Sequence, residues 1–211
     1  MQITLNDVSY SYPGSTQTVL DGVRAVFPVG WTGIIGNNGC GKSTLARIAT
    51  GMLAPDSGTV SPRGLVVAYC EQDATIPPDR LEDFACSWEQ AAVRLRVDLG
   101  VDDDWLWRYD TLSSGQQKRL QVAVALWENP DVLVMDEPTN HVDVLTRRAI
   151  LRALAGYRGV GLLISHDREL LDALAGQCLC FEGARVVMRP GGYTQAGEQA
   201  ACDTKTAQRQ R

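Results

Sequence analysis

The chain has 211 residues, of which 45% are hydrophobic and 21% charged, and a formal net charge of −5 at pH 7. This length suits one domain with a full hydrophobic core and room for a small subdomain. The acidic balance argues against a surface that grips nucleic acid throughout, and no direct DNA binding is expected. There is no apolar run of the roughly 18 residues that span a bilayer, and the start MQITLND lacks the features of a secretion signal, so a cytoplasmic location is expected.

The predicted elements of the first half are short strands followed by one helix. ITLNDVSYSY leads to a turn at Pro13 and Gly14, VRAVFPV follows, and TGII enters a glycine-rich loop. KSTLARIAT, closed by Gly51, is predicted as a helix. A turn at 55–58 precedes a predicted strand at 65–70, and the polar stretch 73–111 favours helix.

The second half alternates strands and helices. KRLQVAVALW is predicted as a helix, and strand VLVM, helix VLTRRAILRALA and strand VGLLI follow it. This order predicts a parallel sheet. CLCF and RVVMR are predicted to form a closing hairpin. The chain is polar after Gly197, which is typical of a tail or the beginning of a linker.

Three of the six cysteines need comment. Cys178 and Cys180 share one face of a predicted strand, as half of a metal site or as small buried apolar residues. No neighbouring Cys or His spacing completes a metal site, which favours burial. Cys40 lies inside the glycine-rich loop, and we expect its oxidation to block nucleotide binding.

Residues 36–44, GNNGCGKST, match the phosphate-binding loop G-x-x-x-x-G-K-[ST]. Glycines permit backbone conformations that turn successive N–H groups toward a phosphate, and the following helix adds its positive end. Lys42 is expected to reach the β- and γ-phosphates of ATP, and the Ser43 hydroxyl to bind Mg²⁺. The predicted nucleotide-binding residues of this loop are Gly36, Asn37, Asn38, Gly39, Cys40, Gly41, Lys42, Ser43 and Thr44.

Two adjacent carboxylates, Asp136 and Glu137, follow the apolar strand VLVM. They are therefore expected at the carboxyl edge of the sheet, where ligands bind in such folds. Asp136 is predicted to support Mg²⁺ through its water shell, and Glu137 to polarise the attacking water as a general base. A solvated acidic turn is the alternative, which the upstream phosphate loop makes less favourable.

Together with these motifs, LSSGQQKRL at 112–120 resembles the nucleotide-binding cassette of the ABC ATPase family, whose signature motif is LSGGQ. The resemblance covers residues 1 to about 195 and leaves 196–211 as a polar tail or the start of a linker. It implies an α/β fold of the P-loop NTPase type, with a mostly parallel core sheet, an N-terminal antiparallel β-subdomain and a small helical subdomain at about 73–125. It also implies hydrolysis of ATP with Mg²⁺.

The resemblance also implies roles for single residues. Tyr12 corresponds to the aromatic that stacks on adenine, Gln72 to the glutamine that senses Mg²⁺ and the attacking water, and His166 to the histidine that reads the γ-phosphate. Asp143 corresponds to the residue that closes the loop after the second carboxylate and communicates across the dimer. From the residues alone, Tyr12 could equally belong to a core strand, and Gln72 to a polar turn.

The signature residues Ser113, Ser114, Gly115 and Gln116 begin a predicted helix, whose N-terminus favours an anion. By resemblance they contact the nucleotide of a second cassette, so that two cassettes close head-to-tail around two ATP molecules. The family usually has a second glycine where this chain has Ser114. The extra bulk is expected to weaken closure mildly.

EPTNHVD at 137–143, SHDREL at 165–170 and GGYTQ at 191–195 resemble the ABC-F branch, whose members act on ribosomes and lack membrane domains. Such proteins usually join two cassettes by a long basic linker, whereas this chain has one cassette. It is thus a freestanding cassette, a homodimerising relative or the front part of a longer protein. The alternatives are a transporter ATPase subunit, which docks on a membrane permease through 72–112, and a regulatory module that binds ATP without turnover.

Overall fold

The structure, a computed structural model, describes residues 1–183 and 185–209. Within these ranges, three strands form a small antiparallel sheet in the order β2-β1-β4. The strands are β1 Gln2–Ser11, β2 Thr18–Pro28 and β4 Ser57–Ser61. The inward side chains of β1, such as Ile3 and Leu5, are fully buried, as the alternating pattern predicts. The antiparallel β-subdomain is therefore confirmed.

The core sheet has six strands in the order β5-β6-β7-β3-β8-β9. They are β3 Gly30–Ile35, β5 Val67–Cys70, β6 Val132–Asp136, β7 Val160–Ile164, β8 Ala175–Glu182 and β9 Arg185–Pro190. All neighbouring pairs are parallel except β8 and β9, which form the antiparallel hairpin. Every residue of β6 and β7 is buried, since both faces of this sheet are covered. The mostly parallel core sheet is confirmed.

The helices surround the core sheet. They are α1 Lys42–Ala49, α2 Leu81–Cys86, α3 Gln90–Leu99, α4 Ser114–Trp127, α5 Val144–Ala155, α6 Arg168–Leu174 and α7 Tyr193–Arg209, with 3₁₀ turns at Asp103–Trp107 and Tyr109–Thr111. The polar C-terminal stretch thus begins inside α7. No helix of the described residues is long and apolar enough to cross a membrane.

Two hydrophobic clusters sandwich the core sheet. On one face, Leu45 of α1 and Ile3 of the antiparallel sheet join Val134 of β6. On the other face, helices of the chain's second and third quarters pack on Leu133 of β6, and Phe84 lies in the same cluster. Each such fully buried side chain contributes roughly 1.5–3 kcal/mol to folding.

The strand order decides where the functional residues meet. Four parallel strands, β5, β6, β7 and β3, are neighbours in that order, so their carboxyl ends lie side by side. The segments that follow them are 71–72, 137–143, 165–167 and 36–41. One edge of the sheet therefore collects the predicted phosphate loop, both carboxylates, the glutamine and the histidine.

Candidate nucleotide-binding site

A cavity of about 650 Å³ opens at this edge of the core sheet. It is bounded by the phosphate loop, by the ends of β5, β6 and β7 and by the segment between β1 and β2. Its lining consists of Tyr12, Ser15, Gln17, Val19, Asn38, Gly39, Gly41, Lys42, Ser43, Thr44, Gln72, Asp136, Glu137, Asn140, Ile164 and His166. Most of the residues predicted from the separate motifs thus meet around one space.

The phosphate loop wraps around the Lys42 ammonium. Lys42 Nζ donates to the carbonyl oxygens of Gly36 at 2.9 Å and Asn37 at 3.0 Å. Gly41 has a φ of 106°, and a Cβ at this position would lie 2.8 Å from Val19 Cγ1, so a side chain is excluded both by backbone and by space. Helix α1 starts at Lys42, and its N-terminus therefore opens onto the cavity.

Cys40 is partly buried in this loop, where its thiol packs beside Gly36. A Cβ on Gly36 would lie 2.7 Å from the Cys40 Sγ atom. Burial raises the pKa of the Cys40 thiol, and the Lys42 charge only partly opposes this shift. Because the thiolate is the reactive form, oxidation of Cys40 is disfavoured at neutral pH.

The two carboxylates have different environments. Asp136 is buried, and its Oδ2 accepts a hydrogen bond from the Tyr69 hydroxyl at 3.1 Å. Glu137 has a left-handed backbone with φ 48°, and its N–H donates to the Ile164 carbonyl at 2.8 Å. This bond holds the residue after β6 against the end of β7.

The two carboxylate oxygens of Glu137 have different surroundings. Its Oε2 accepts from the His166 N–H at 3.3 Å, whereas its buried Oε1 has no hydrogen-bond partner among the described residues. Burial raises the pKa of Glu137 above its usual value, and hydrogen bonding and charge from His166 and the Lys42 ammonium partly oppose the rise. A carboxylate that lines the cavity and has an elevated pKa is suited to take a proton from water.

His166 lies between Glu137 and the phosphate loop. Its Nε2 is 2.9 Å from Asn38 Oδ1 and 3.6 Å from Glu137 Oε1. The reason is topological, because β7 lies between β6 and β3 in the sheet. The ring is half-exposed to the cavity and is thus free to contact a ligand there.

Tyr12 and Gln72 had two interpretations each from the sequence. Tyr12 follows β1 with 44% of its surface exposed, and its hydroxyl shares a 2.8 Å hydrogen bond with Thr44 Oγ1. It is therefore a cavity residue and not a core strand residue. Gln72 lines the same cavity after the end of β5, and its backbone carbonyl accepts from Lys118 Nζ at 3.1 Å.

The signature residues lie apart from this cavity. Ser113 caps α4 in a capping box with Gln116, and Ser114 lines a separate cavity of about 340 Å³. Asp143 caps α5, and hydrogen bonds from Thr146 lower the pKa of its carboxyl group. A Cβ on Gly115 would lie 3.9 Å from Asp143 Oδ2. The signature and Asp143 are thus neighbours, and the cavity beside Ser114 shares Gln72 and Asn140 with the nucleotide-binding cavity.

The predicted Mg²⁺ ligands fit that ion. Ser43, Gln72 and Asp136 line one cavity. They offer one hydroxyl oxygen, one amide oxygen and one carboxylate group. The described residues include no cluster of three or more His, Cys, Asp or Glu side chains that would form a complete metal cage. Mg²⁺ usually binds through one or two protein oxygens, retains waters and takes the rest of its ligands from phosphates. Such an ion suits this donor set.

Some site residues were not predicted. The Tyr69 hydroxyl on β5 donates a hydrogen bond to Asp136. Asn140, which lies between Glu137 and Asp143 in the chain, lines the cavity. Asn140 lies inside the quoted segment EPTNHVD, so its position could have been read from that motif. Tyr69 has no such signal, because its contact with Asp136 depends on the pairing of β5 with β6.

A family model described as ABC transporter matches residues 25–140, which is more than half of the chain. The chain belongs to the ABC ATPase family. The ATP-binding protein Uup of Escherichia coli is 34% identical over 92% of this chain and 33% of its own length. The ribosome protection protein VmlR of Bacillus subtilis is 33% identical over 91% of this chain and 33% of its own length. The prediction of an ABC cassette similar to the ABC-F branch is confirmed.

This chain spans about a third of the length of both relatives. A solved structure described as the ATP-binding subunit of an ABC transporter superposes with a TM-score of 0.73 at 21% identity. It covers 90% of each chain and shows that the fold is the same.

Proposed function

We propose that this chain binds MgATP and hydrolyses it at the interface of a head-to-tail pair of cassettes, as an ABC-F-like ATPase that acts on the ribosome. One observation carries the enzymatic part. Glu137, whose buried Oε1 has no hydrogen-bond partner among the described residues, lines the same cavity as Lys42 and the phosphate loop. A base and a phosphate cradle that share one space can activate water beside a triphosphate.

In this proposal the phosphate loop and Lys42 bind the β- and γ-phosphates, and Tyr12 offers its ring to adenine. Both Tyr12 and Lys42 line the cavity, and the hydrogen bond with Thr44 orients the tyrosine. Ser43, Gln72 and Asp136 would hold Mg²⁺, which when bound neutralises charge on the phosphates. The nucleotide is thereby clamped at both ends.

Glu137 then accepts a proton from a water molecule whose oxygen attacks the γ-phosphorus. The bond from that phosphorus to the β–γ bridging oxygen breaks, giving ADP and inorganic phosphate. His166 is the residue that we assign to the γ-phosphate, because its ring lies between Glu137 and Asn38 of the phosphate loop. General base catalysis of this kind contributes roughly 10²–10⁴-fold to the rate.

A second cassette completes the site. Ser113, Gly115 and Gln116 lie outside the cavity, at the start of α4, so within one chain they are not cavity residues. We infer that they contact a nucleotide held by a partner cassette, and that Asp143 beside Gly115 passes on the state of that contact. In the same proposal, residues 1–195 form the cassette with its helical subdomain at about 73–125, and 196–211 begin a linker or tail.

The ribosome is the proposed partner in the cytoplasm. The support is the sequence similarity to a protein that is named for ribosome protection, together with the segments EPTNHVD and SHDREL. The test is co-sedimentation of the Glu137→Gln variant with ribosomes in ATP and, as a control, of Lys42→Ala in the same buffer. We expect the first to sediment with ribosomes and the second to stay in the supernatant. Absence of the trapped variant from the ribosomal pellet would contradict the proposal.

The second candidate is the ATP-binding subunit of a transporter. A groove of about 690 Å³ next to Gln72 favours it, because the exposed side chains of Met52 and Ile76 line that groove and offer apolar contacts to a permease helix. Co-purification of Glu137→Gln with a membrane protein, without ribosomes, would support this candidate instead.

A further inference from the structure

A buried lysine joins two parts of the site that lie on different elements. Lys118 of α4 is only 3% exposed. Its Nζ donates to the Glu71 carbonyl at 2.7 Å, to the Gln72 carbonyl at 3.1 Å and to Gln121 Oε1 at 2.9 Å. These three bonds use every N–H that a lysine ammonium possesses. The side chain is therefore held in one position.

Such an ammonium is costly to bury unless its hydrogen bonds are all made. Its three partners are neutral oxygens, and the Asp136, Asp73 and Glu71 carboxylates provide attraction from further away. Burial lowers the pKa of Lys118, and these carboxylates oppose that effect. The Cys70 thiol, which donates to the Gln121 carbonyl at 3.8 Å, ties the end of β5 to the same helix.

Through its position in the chain, Lys118 connects the Gln72 segment to the helix that carries the signature residues. Gln72 lines the nucleotide cavity of its own chain. Lys118 lies in the second turn of α4, and the first turn of that helix carries the signature residues from Ser114 onward. A helix is a rigid element over so short a distance, so a shift of the Gln72 backbone would move the signature residues with it, and the reverse.

We propose that Lys118 is a positioning residue that couples Gln72 at one nucleotide site to the signature helix presented to the other. This inference rests on the proposed paired ATPase. Coupling of two sites through one side chain predicts cooperativity that disappears with that side chain. It also predicts that catalysis suffers more than nucleotide binding, because Lys118 does not line the nucleotide cavity.

The test compares Lys118→Met with Arg96→Met in the full chain. Arg96 is a matched control, since it is also buried and donates to backbone carbonyls, but those of Phe84, Ala85 and Ser87, which do not line the nucleotide cavity. Both variants should lose thermal stability. Only Lys118→Met should lose about 10- to 100-fold in kcat with KM for ATP within about twofold, and a Hill coefficient above 1 should fall to 1.

A double-mutant cycle with Gln72→Ala tests whether Lys118 acts on catalysis through Gln72. If Lys118 acts through Gln72, the double variant should lose no more kcat than Gln72→Ala alone. Additive losses would overturn the proposal, as would an unchanged kcat in folded Lys118→Met. Should Lys118→Met fail to fold, Lys118→Arg preserves the charge and the donors but not their geometry, and the same loss of cooperativity is expected from it.

Hydrogen exchange supplies a readout that does not need hydrolysis. In the parent chain, at a concentration too low for two cassettes to pair, ATP should protect the amides of 71–73 and 113–116 together, and in the Lys118 variant only the first segment should respond. Separate responses in the parent would overturn the coupling. A parent chain that binds ATP with joint protection but shows no turnover would instead contradict the proposed ATPase and leave the coupling in place.

Discussion

His166 Nε2 lies 2.9 Å from Asn38 Oδ1, so the end of β7 is joined directly to the phosphate loop. Glu137 Oε1 lies 3.6 Å from the same nitrogen. The order β6-β7-β3 in the core sheet favours this arrangement, because the segment after the middle strand lies between the segments after its neighbours. The histidine thus lies between Glu137 and the phosphate loop.

Substitution of Asn38 by alanine tests this contact. The His166 ring loses one hydrogen bond of roughly 0.5–1.5 kcal/mol, so we expect kcat to fall about 2- to 10-fold. His166→Ala should cost more, and the double variant should resemble His166→Ala. Steady-state ATPase rates measure all three. Independent, additive losses would show that Asn38 does not act through the histidine.

Glu137→Gln should reduce kcat by roughly 10²–10⁴-fold while ATP affinity is preserved, because the amide cannot take a proton. Single-turnover hydrolysis and calorimetric binding of ATP measure the two quantities. Glu128→Gln is the control: burial raises the pKa of Glu128 as well, but this residue lies outside the nucleotide cavity. Hydrolysis by Glu137→Gln at the parent rate would exclude Glu137 as the base.

The difference in stability between Glu137→Gln and the parent should depend on pH. Burial raises the pKa of Glu137, so the charged carboxylate is disfavoured in the folded state. The folded parent is therefore more stable when Glu137 is protonated, and it loses this stabilisation as the pH rises through the folded-state pKa. Glu137→Gln should therefore exceed the parent in thermal midpoint at pH 7, and the difference should shrink as the pH is lowered. A difference that grows toward acid pH would contradict the raised pKa.

Two substitutions separate the contribution of the Tyr12 ring to ATP binding from that of its hydroxyl. Loss of a stacked ring costs roughly 1–3 kcal/mol per base, so Tyr12→Ala should weaken ATP binding about 5- to 150-fold. Tyr12→Phe retains the ring and loses only the hydrogen bond with Thr44, and its dissociation constant should stay within about tenfold of the parent. Calorimetric titration measures both. Equal dissociation constants for the two variants would show that the ring makes no stacking contact.

Gly161 of β7 tests the packing of the core sheet. A methyl group there would overlap the ring of Trp31, whose Nε1 donates to the Leu154 carbonyl at 3.0 Å and cannot easily yield. We expect Gly161→Ala to lower the free energy of unfolding by about 1–3 kcal/mol in urea titrations. Gly176→Ala in β8 is the matched control, because nothing lies within 4 Å of its added Cβ, and its effect should be smaller.

The fold was predictable from the sequence where the local hydrophobic pattern matches the secondary structure that forms. The predicted helix VLTRRAILRALA is α5 with the same bounds, and the predicted strand VGLLI is β7. The strand β4 was missed, because four of the five residues of SGTVS are exposed and its composition is that of a turn. It becomes a strand only by pairing with β1, a contact between residues about 50 positions apart.

The sequence by itself determined the chemistry of this protein, since the phosphate loop, the carboxylate pair and the signature are local patterns whose residue types and spacings carry their meaning. Tertiary structure alone decided which of these groups touch. The Asn38–His166 contact, the exposure of Tyr12 and the bonds from Lys118 to the segment after β5 all join distant parts of the chain. The order of strands in a sheet sets such distances, and no short stretch of residues encodes that order.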